Sequence, residues 1–335
     1  LSPFASSSSW TIKATVSDRL VVASRGSKLA LEQAGIIVDL LRRVRPKLDI
    51  TVQPVTTTGD RDRRSFAAIG GKGLFVKELE REVAEGRADI AVHSAKDLTA
   101  ELAAGCAIVC WPARASANDV VVGGGSGDAG EQRLSSLPPG ATVGTSSMRR
   151  RALLAELRSD LEVVDFRGNL DTRLAKVRDG VVDAAILAAA GMERLGGSAV
   201  DAASLDPERW VPAPGQGALA VEARSDRADL AELVAPIDDA RVRAEVTCER
   251  AFAARLEGGC SVPLGCLARA VDDRLVVTGY LGHPDGHESL RDRISGGVDE
   301  ADLLGAELAD AILRAGGDEL LDELSGLKAP EIASP

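Results

Sequence analysis

The chain has 335 residues, too many for one ordinary hydrophobic core, so two or three domains are expected. Its 45% apolar and 27% charged residues are those of a globular protein, and the net charge of −11 excludes the basic footprint of a nucleic-acid binder. No apolar run reaches membrane-spanning length, and with only 3% aromatics the cores must be built from Val, Leu, Ile and Ala, which suits parallel strands buried under helices.

Residues 1–17 are Ser-rich and lack the apolar core of a secretory signal. They are expected to be a disordered tail or the remnant of a targeting segment. LVVAS (20–24) predicts a strand. A helix follows, with Leu29, Ile36, Ile37, Leu40, Leu41 and Val44 at helical spacing, and it stops before Pro46. The strand LDITVQPV leads into the polar loop TTTGDRDRR. GGKG (70–73) opens another helix, carrying Phe75, Leu79 and Val83 on one face, with Gly86 as its C-terminal cap. ADIAVHS is the next strand.

After a break the pattern repeats. GGGSGDAGEQ (123–132) predicts a flexible surface segment. ATVGT is a strand, SSMRRRALLAELR a helix opened by a Ser N-cap, and LEVVDF, NLDTRLAKV and VDAAILAAA follow as strand, helix and strand. VPAPGQGALAVEA (211–223) looks like a crossing between units. The last hundred residues differ. An amphipathic helix, RVRAEVTCERAFAARLE, ends at the Gly-rich GGCSVPLGC. LARAV and LVVTGYL form a hairpin, HPDG marks a second turn, and ADLLGAELADAILRA is a closing helix.

Three loops share one design, in which a strand ends, small residues follow and a basic residue opens a helix: ASRGSK (23–28), GGKG and GTSSMRRR (144–151). Exposed N–H groups, the helix dipole and a nearby Arg or Lys make each an anion site. FRGNLDTR adds Arg167 and Arg173. None has nucleotide P-loop spacing, so the expected anion is a carboxylate, repeated several times, gripped by guanidinium forks. HSAKD (93–97) puts Ser94, Lys96 and Asp97 at a strand's C-terminal end, the mouth of an α/β site, where a carboxylate can stabilise a developing cation or move protons; His93 is expected to be structural.

The five cysteines include no CxxC and there are only three histidines, so reduced thiols and no metal are expected. Cys260, in EGGCSVPLG, is either an accessible nucleophile or attachment point, or a small buried residue. Cys106, Cys110, Cys248 and Cys266 are expected to be structural.

Taken together and in order, ASRGSKLAL, TTGD, GGKGLFVKELE, ADIAVHSAKDL, VGTSSMRR, RGNLDTRLAK, LAAAGMERLG, PAPGQGA and ERAFAARLEGGCSVPLG resemble the porphobilinogen deaminase (hydroxymethylbilane synthase) family from about Leu20 to Leu321. The resemblance implies a transferase of tetrapyrrole biosynthesis, haem biosynthesis included, that joins four porphobilinogen molecules head to tail with loss of ammonia to give hydroxymethylbilane. It implies a dipyrromethane cofactor in thioether linkage to Cys260. Asp97 would be the catalytic aspartate, holding pyrrole N–H groups and stabilising the cationic azafulvene. Arg25, Arg149, Arg150, Arg167, Arg173 and Arg194 would bind the acetates and propionates. Ser27, Ser94, Lys96, Thr145, Ser146 and Ser147 would complete the binding set, with Lys72 and Phe75 beside the cleft and Gln216 at the crossover. Lys28 stands where a proline is common in the family.

The family fold is α/β, with two periplasmic-binding-protein-like lobes and a small α+β C-terminal domain. Here it implies domain 1 at 18–117 and 216–236, domain 2 at 118–215 and domain 3 at 237–330. A cytoplasmic monomer is expected, or a plastid or other organellar protein if residues 1–17 are a transit remnant. Its product would pass to the next tetrapyrrole enzyme, with no nucleic-acid or membrane partner. A non-catalytic two-lobed binding protein for an anionic small molecule is the alternative, one that gives the Cys260 loop no role.

Overall fold

The computed structural model describes residues 18–57, 73, 76–196, 200–257 and 262–326, so Lys72, Phe75 and Cys260 lie outside the described residues. In chain order the elements are β1 (Arg19–Arg25), α1 (Lys28–Val44), β2 (Asp49–Val55), α2 (Lys77–Ala84), β3 (Ile90–Ser94), β4 (Cys106–Cys110), β5 (Asp119–Gly123), α3 (Gly130–Ser135), β6 (Thr142–Gly144), α4 (Met148–Leu157), β7 (Glu162–Val164) and α5 (Leu170–Arg178). There follow β8 (Ala184–Ala188), α6 (Ala189–Arg194), β9 (Ala202–Ser204), β10 (Leu219–Arg224), α7 (Ala228–Val234), α8 (Ala240–Arg255), β11 (Leu264–Val271), β12 (Arg274–Gly282), β13 (Ser289–Gly297), α9 (Ala301–Ile312) and α10 (Asp318–Gly326).

Two five-stranded sheets have equivalent strand orders, β2-β1-β3-β10-β4 and β7-β6-β8-β5-β9. In each, three strands run parallel and the fourth is antiparallel to both neighbours. The antiparallel strands mark the exchanges: the chain enters the second lobe at β5 and returns to the first at β10. A three-stranded antiparallel sheet, β11-β12-β13, forms the C-terminal α+β domain under α8 and α9. Its first hairpin closes through Asp272 and Asp273, with Asp272 left-handed at φ 53°.

The α1 helix shows how sequence becomes packing. Ser27 Oγ accepts from Ala30 N at 3.3 Å, and Arg42 and Arg43 complement the dipole at the other end. Its core face is Ala30, Ala34, Ile37, Val38 and Leu41, whereas Ile36 and Val44 are exposed. The apolar stripe is rotated from the expected one because two alanines, small enough for close helix–sheet approach, carry it.

Three further differences stand out. Strands β4, β5 and β9 are five, five and three residues long, short runs without alternation that give a weak signal. Segment 123–132 is not a free loop. Gly123 ends β5 and α3 begins at Gly130, with Arg133 fastening the turn through Gly127 O at 2.9 Å and Asp201 O at 3.3 Å. Beyond the closing helix, α10 adds a further amphipathic segment with Leu320 buried. Among the described residues no helix is long and apolar enough to cross a membrane.

Candidate active site

Strand β3, buried in the sheet interior, ends at Ser94 and rolls into a single 3-10 turn, Ala95–Asp97. The turn is fixed from behind by Ala95 N donating to Ala218 O at 3.0 Å. Asp97 lines a small pocket with Arg25, Ser27, Gln33, His93 and Ser94. Gln33, buried on α1, donates to Ser94 Oγ at 2.9 Å and so holds that hydroxyl. His93 faces inward and meets Glu222 of β10 at 2.7 Å, a buried pair that braces the strand beneath Asp97.

The second lobe presents Thr145, Ser146 and Ser147 at the start of α4. Ser147 Oγ caps the helix through Arg150 N at 3.4 Å, and the Ser146 hydroxyl bonds Asp165 while accepting from Phe166 N at 3.0 Å. Arg149 and Arg150 are buried and converge on Asp119, the first residue of β5. Arg149 Nη2 reaches Asp119 Oδ2 at 2.8 Å, and Arg150 Nη2 reaches Oδ1 at 2.7 Å. Trp210 Nε1 and Gln216 Nε2 also donate to this carboxylate, at 3.0 and 2.9 Å. Burial alone would raise the Asp119 pKa. The two guanidiniums outweigh it and hold the group well below the usual carboxylate range. Arg149 Nε is buried with no hydrogen-bond partner.

Nearby, Arg167 Nε lies 2.5 Å from Asp165, and Arg173 Nε donates to Gly168 O at 3.0 Å. Loss of solvent, then the neighbouring Arg150, bring the Arg173 pKa down to about 10, with Asp165 opposing and Arg167 adding to the fall. The guanidinium stays charged at neutral pH, but it sits among like charges and gains from any anion that enters.

The lobes meet at the PAPGQGA crossing. Gly217 has φ +86°, and a Cβ there would lie 2.5 Å from Ala115 O. Gly215 has φ +73°, and its Cβ would lie 3.0 Å from the Ala95 carbonyl carbon. The crossing is thus pressed between the turn that carries Asp97 and the other interlobe segment. Gln216 Oε1 accepts from Lys96 Nζ at 3.4 Å, while its amide bonds Ala117 O at 2.7 Å. Arg194 Nη2 donates to Gly217 O at 2.7 Å. Lys96 is pushed down to about 8, by desolvation first and then by Arg150, while Asp97 and Asp119 pull it up. The residue is nonetheless exposed to the cleft, so water screens part of that effect and the direction of the shift is what the geometry supports.

The predicted residues therefore fall into groups that adjoin. Arg25, Ser27, Ser94 and Asp97 share one pocket; Lys96, Gln216, Arg149 and Arg150 surround Asp119; Ser146, Arg167 and Arg173 surround Asp165 or the loop after it. Sequence reading passed over Asp119, whose only signal is an acid opening the valine run of NDVVVG. It also passed over Glu249. That carboxylate pairs with Arg114 at 2.8 and 3.0 Å and accepts from Gly215 N at 2.6 Å and Ala268 N at 2.9 Å. Its signal is a charge on the buried stripe Val242, Val246, Phe252 of α8. The four described cysteines are free, and burial raises the thiol pKa of each, as expected of structural residues.

Residues 20–232 match the family model "Porphobilinogen deaminase, dipyromethane cofactor binding domain", and residues 243–314 match "Porphobilinogen deaminase, C-terminal domain". Porphobilinogen deaminase of Roseiflexus castenholzii is 46% identical over 303 residues, covering 90% of this chain and 98% of the relative. That of Chromobacterium violaceum is 44% identical over 305 residues, covering 91% and 97%. Among solved structures, substrate-binding domain 2 of Lactococcus lactis GlnP overlaps 65% of this chain and 86% of its own at 13% identity and a TM-score of 0.42. With two family models in tandem and relatives matched over nearly their whole length, the chain belongs to the porphobilinogen deaminase family, transferases of tetrapyrrole biosynthesis that carry a dipyrromethane cofactor.

Proposed function

We propose that Asp97 is the catalytic carboxylate and that the arginines around Asp119 and Asp165 hold the carboxylate arms of substrate and cofactor. The observation that carries this reading is the setting of Lys96: it shares a turn with Asp97 in one lobe and bonds Gln216, which in turn bonds the Asp119 carboxylate that holds Arg149 and Arg150 of the other. The reacting carboxylate and the anion-binding cluster thus adjoin across the crossing.

The donor set suits a dipyrromethane, which is rich in carboxylates. Arg149 and Arg150 are anchored on Asp119 yet keep N–H groups beyond those bonds, one of them the unpartnered buried Arg149 Nε. Ser146, Arg167 and Arg173 extend the same face, and Thr145, Ser147 and Arg194 shape it. When bound through Cys260, the dipyrromethane supplies an electron-rich pyrrole carbon as the growing end. Asp97 accepts hydrogen bonds from the substrate's pyrrole N–H and stabilises the positive charge that develops on the ring as the C–N bond breaks and ammonia leaves. Arg25, Ser27 and Ser94, on the same pocket, hold the incoming porphobilinogen by its acid arms. Lys72 and Phe75 belong to the same reading from resemblance alone. The division into 18–117 with 216–236, 118–215 and 237–330 is supported by β10 pairing with β3 and β4. Monomeric state, cytoplasmic location and hand-over of the bilane to the next enzyme complete the proposal.

Intact-protein mass spectrometry tests it. The purified chain is expected to be heavier than its sequence by one dipyrrole, mapping to the Cys260 peptide, and Cys260→Ser loses both adduct and activity. Asp97→Ala keeps the adduct and fold but loses roughly 10²-fold or more in turnover, the scale of a lost electrostatic stabiliser. An unmodified Cys260 in protein that still makes the bilane, or normal turnover by Asp97→Ala, overturns the assignment.

A further inference from the structure

Two of the chain's three histidines meet in the C-terminal domain, away from every residue assigned above. The turn between β12 and β13 is closed by His283 N to Glu288 O at 2.8 Å and Gly286 N to His283 O at 2.9 Å. Gly286 has φ +79°, and a Cβ there would lie 2.6 Å from the Ala155 carbonyl carbon, so the turn is pressed against the last turn of α4. Within it, Asp285 Oδ1 lies 2.6 Å from His283 Nδ1 and 2.5 Å from His287 Nδ1, with the two rings 4.1 Å apart. A carboxylate oxygen only accepts, so each Nδ1 bonds it as an N–H, and a ring whose single proton sits there presents an Nε2 lone pair.

Those lone pairs turn toward one acid. His283 Nε2 is 3.8 Å from Glu323 Oε1, and His287 Nε2 is 4.0 Å from Glu323 Oε2. Both gaps are too long for hydrogen bonds. His283 Nε2 is moreover buried without a hydrogen-bond partner, on a side chain only 8% exposed. A buried polar atom left in this state calls for an explanation. An ion about 2.0–2.1 Å from each ligand atom bridges such gaps with a small inward movement. His283, Asp285 and His287 form one group with ligand atoms within 4.8 Å of one another, and His287, Glu288 and Glu323 form another that shares His287, so Glu288 can complete the coordination.

We propose that His283, His287 and Glu323, oriented by Asp285, bind a divalent transition-metal ion of the Zn²⁺ class. Two imidazoles and a carboxylate suit that class rather than Mg²⁺ or Ca²⁺, and a carboxylate behind metal-binding imidazoles is the usual orienting device. The ion ties α10 to the hairpin turn where that turn abuts the second lobe. Counting histidines along the sequence gave no metal signal, because two ligands share a turn and the third lies on a helix some 36 residues further on, at Glu323.

The test uses tag-free, cofactor-loaded full-length protein, stripped with a chelator and titrated with ZnCl₂ by calorimetry at neutral pH. Binding of one equivalent, with Kd on the order of micromolar or below, is expected. Co²⁺ should give a visible absorption spectrum of nitrogen–oxygen ligation. His287 and Glu323 are about half exposed, at 48% and 49%, so His287→Gln and Glu323→Gln should fold and turn over normally. Each should weaken Zn²⁺ at least ~10-fold, and Asp285→Asn should weaken it by ~10–100-fold. Failure to take up a stoichiometric ion overturns the proposal. So does binding that survives unchanged in the His287→Gln, Glu323→Gln double variant, which would belong to thiols instead.

Discussion

The Lys96 ammonium stands between a carboxylate of its own turn and two guanidiniums of the opposite lobe. With its pKa brought down to about 8, the group is mostly charged at neutral pH and becomes neutral as pH rises through that value. Only the charged form attracts an incoming acetate or propionate. The kcat/KM for porphobilinogen, which reports groups of the free enzyme, should therefore fall as pH passes about 8. Lys96→Gln should remove that limb and raise KM more than it lowers kcat, whereas Lys96→Arg should restore charge and flatten the limb. A pH profile unchanged in Lys96→Gln would show that another group titrates. HSAKD was legible as a candidate site because a strand end and a Lys–Asp pair coincide. Asp119 was not, since what makes it a hub is convergence of Arg149, Arg150, Trp210 and Gln216 from distant positions.

The elements that position these side chains were legible where the pattern is long. Seventeen-residue α1 and eight- and nine-residue strands β11 and β12 announce themselves by period and turn chemistry. Strands β4, β5 and β9 escape because their identity comes from pairing across the sheet rather than from alternation. The crossing over 211–218 was visible as Pro- and Gly-rich sequence, but the sequence did not show why two glycines are needed. Gly217 supplies both a left-handed φ of +86° and room for Ala115 O. Gly217→Ala should therefore cost about 1–3 kcal/mol from backbone strain alone. Because Gln216 sits beside it, the substitution should also lower activity more than the stability loss explains. Urea denaturation together with turnover of the folded fraction checks both parts. A stability equal to the parent's would mean the crossing relaxes freely.

At the scale of the molecule, the two lobes are one design used twice, since their sheets share a strand order. Two of the contacts that attach the C-terminal domain to them are of unlike character. One is the Arg291–Glu156 pair at 2.6 and 2.7 Å, about a third exposed, which an exposed-pair scale puts at no more than ~1 kcal/mol. The other is Glu249, fully buried, holding Arg114 of one interlobe segment, Gly215 N of the other and Ala268 N of β11 at once. Removing this carboxylate leaves two backbone donors unpaired and takes from Arg114 its bidentate partner, leaving it Gln216 O at 3.0 Å and Glu245 at 3.2 Å. Glu249→Ala should therefore destabilise the protein by roughly 3–5 kcal/mol, and Glu156→Ala should barely matter. The larger consequence is for cooperativity. With Glu249 intact, the C-terminal domain and the interlobe segments should unfold together; in Glu249→Ala the calorimetric trace should split, the C-terminal domain separating from the lobes. A single, merely shifted transition would show instead that apolar contacts around α8 hold the domain, and that the buried ion pair sets its orientation without coupling its stability.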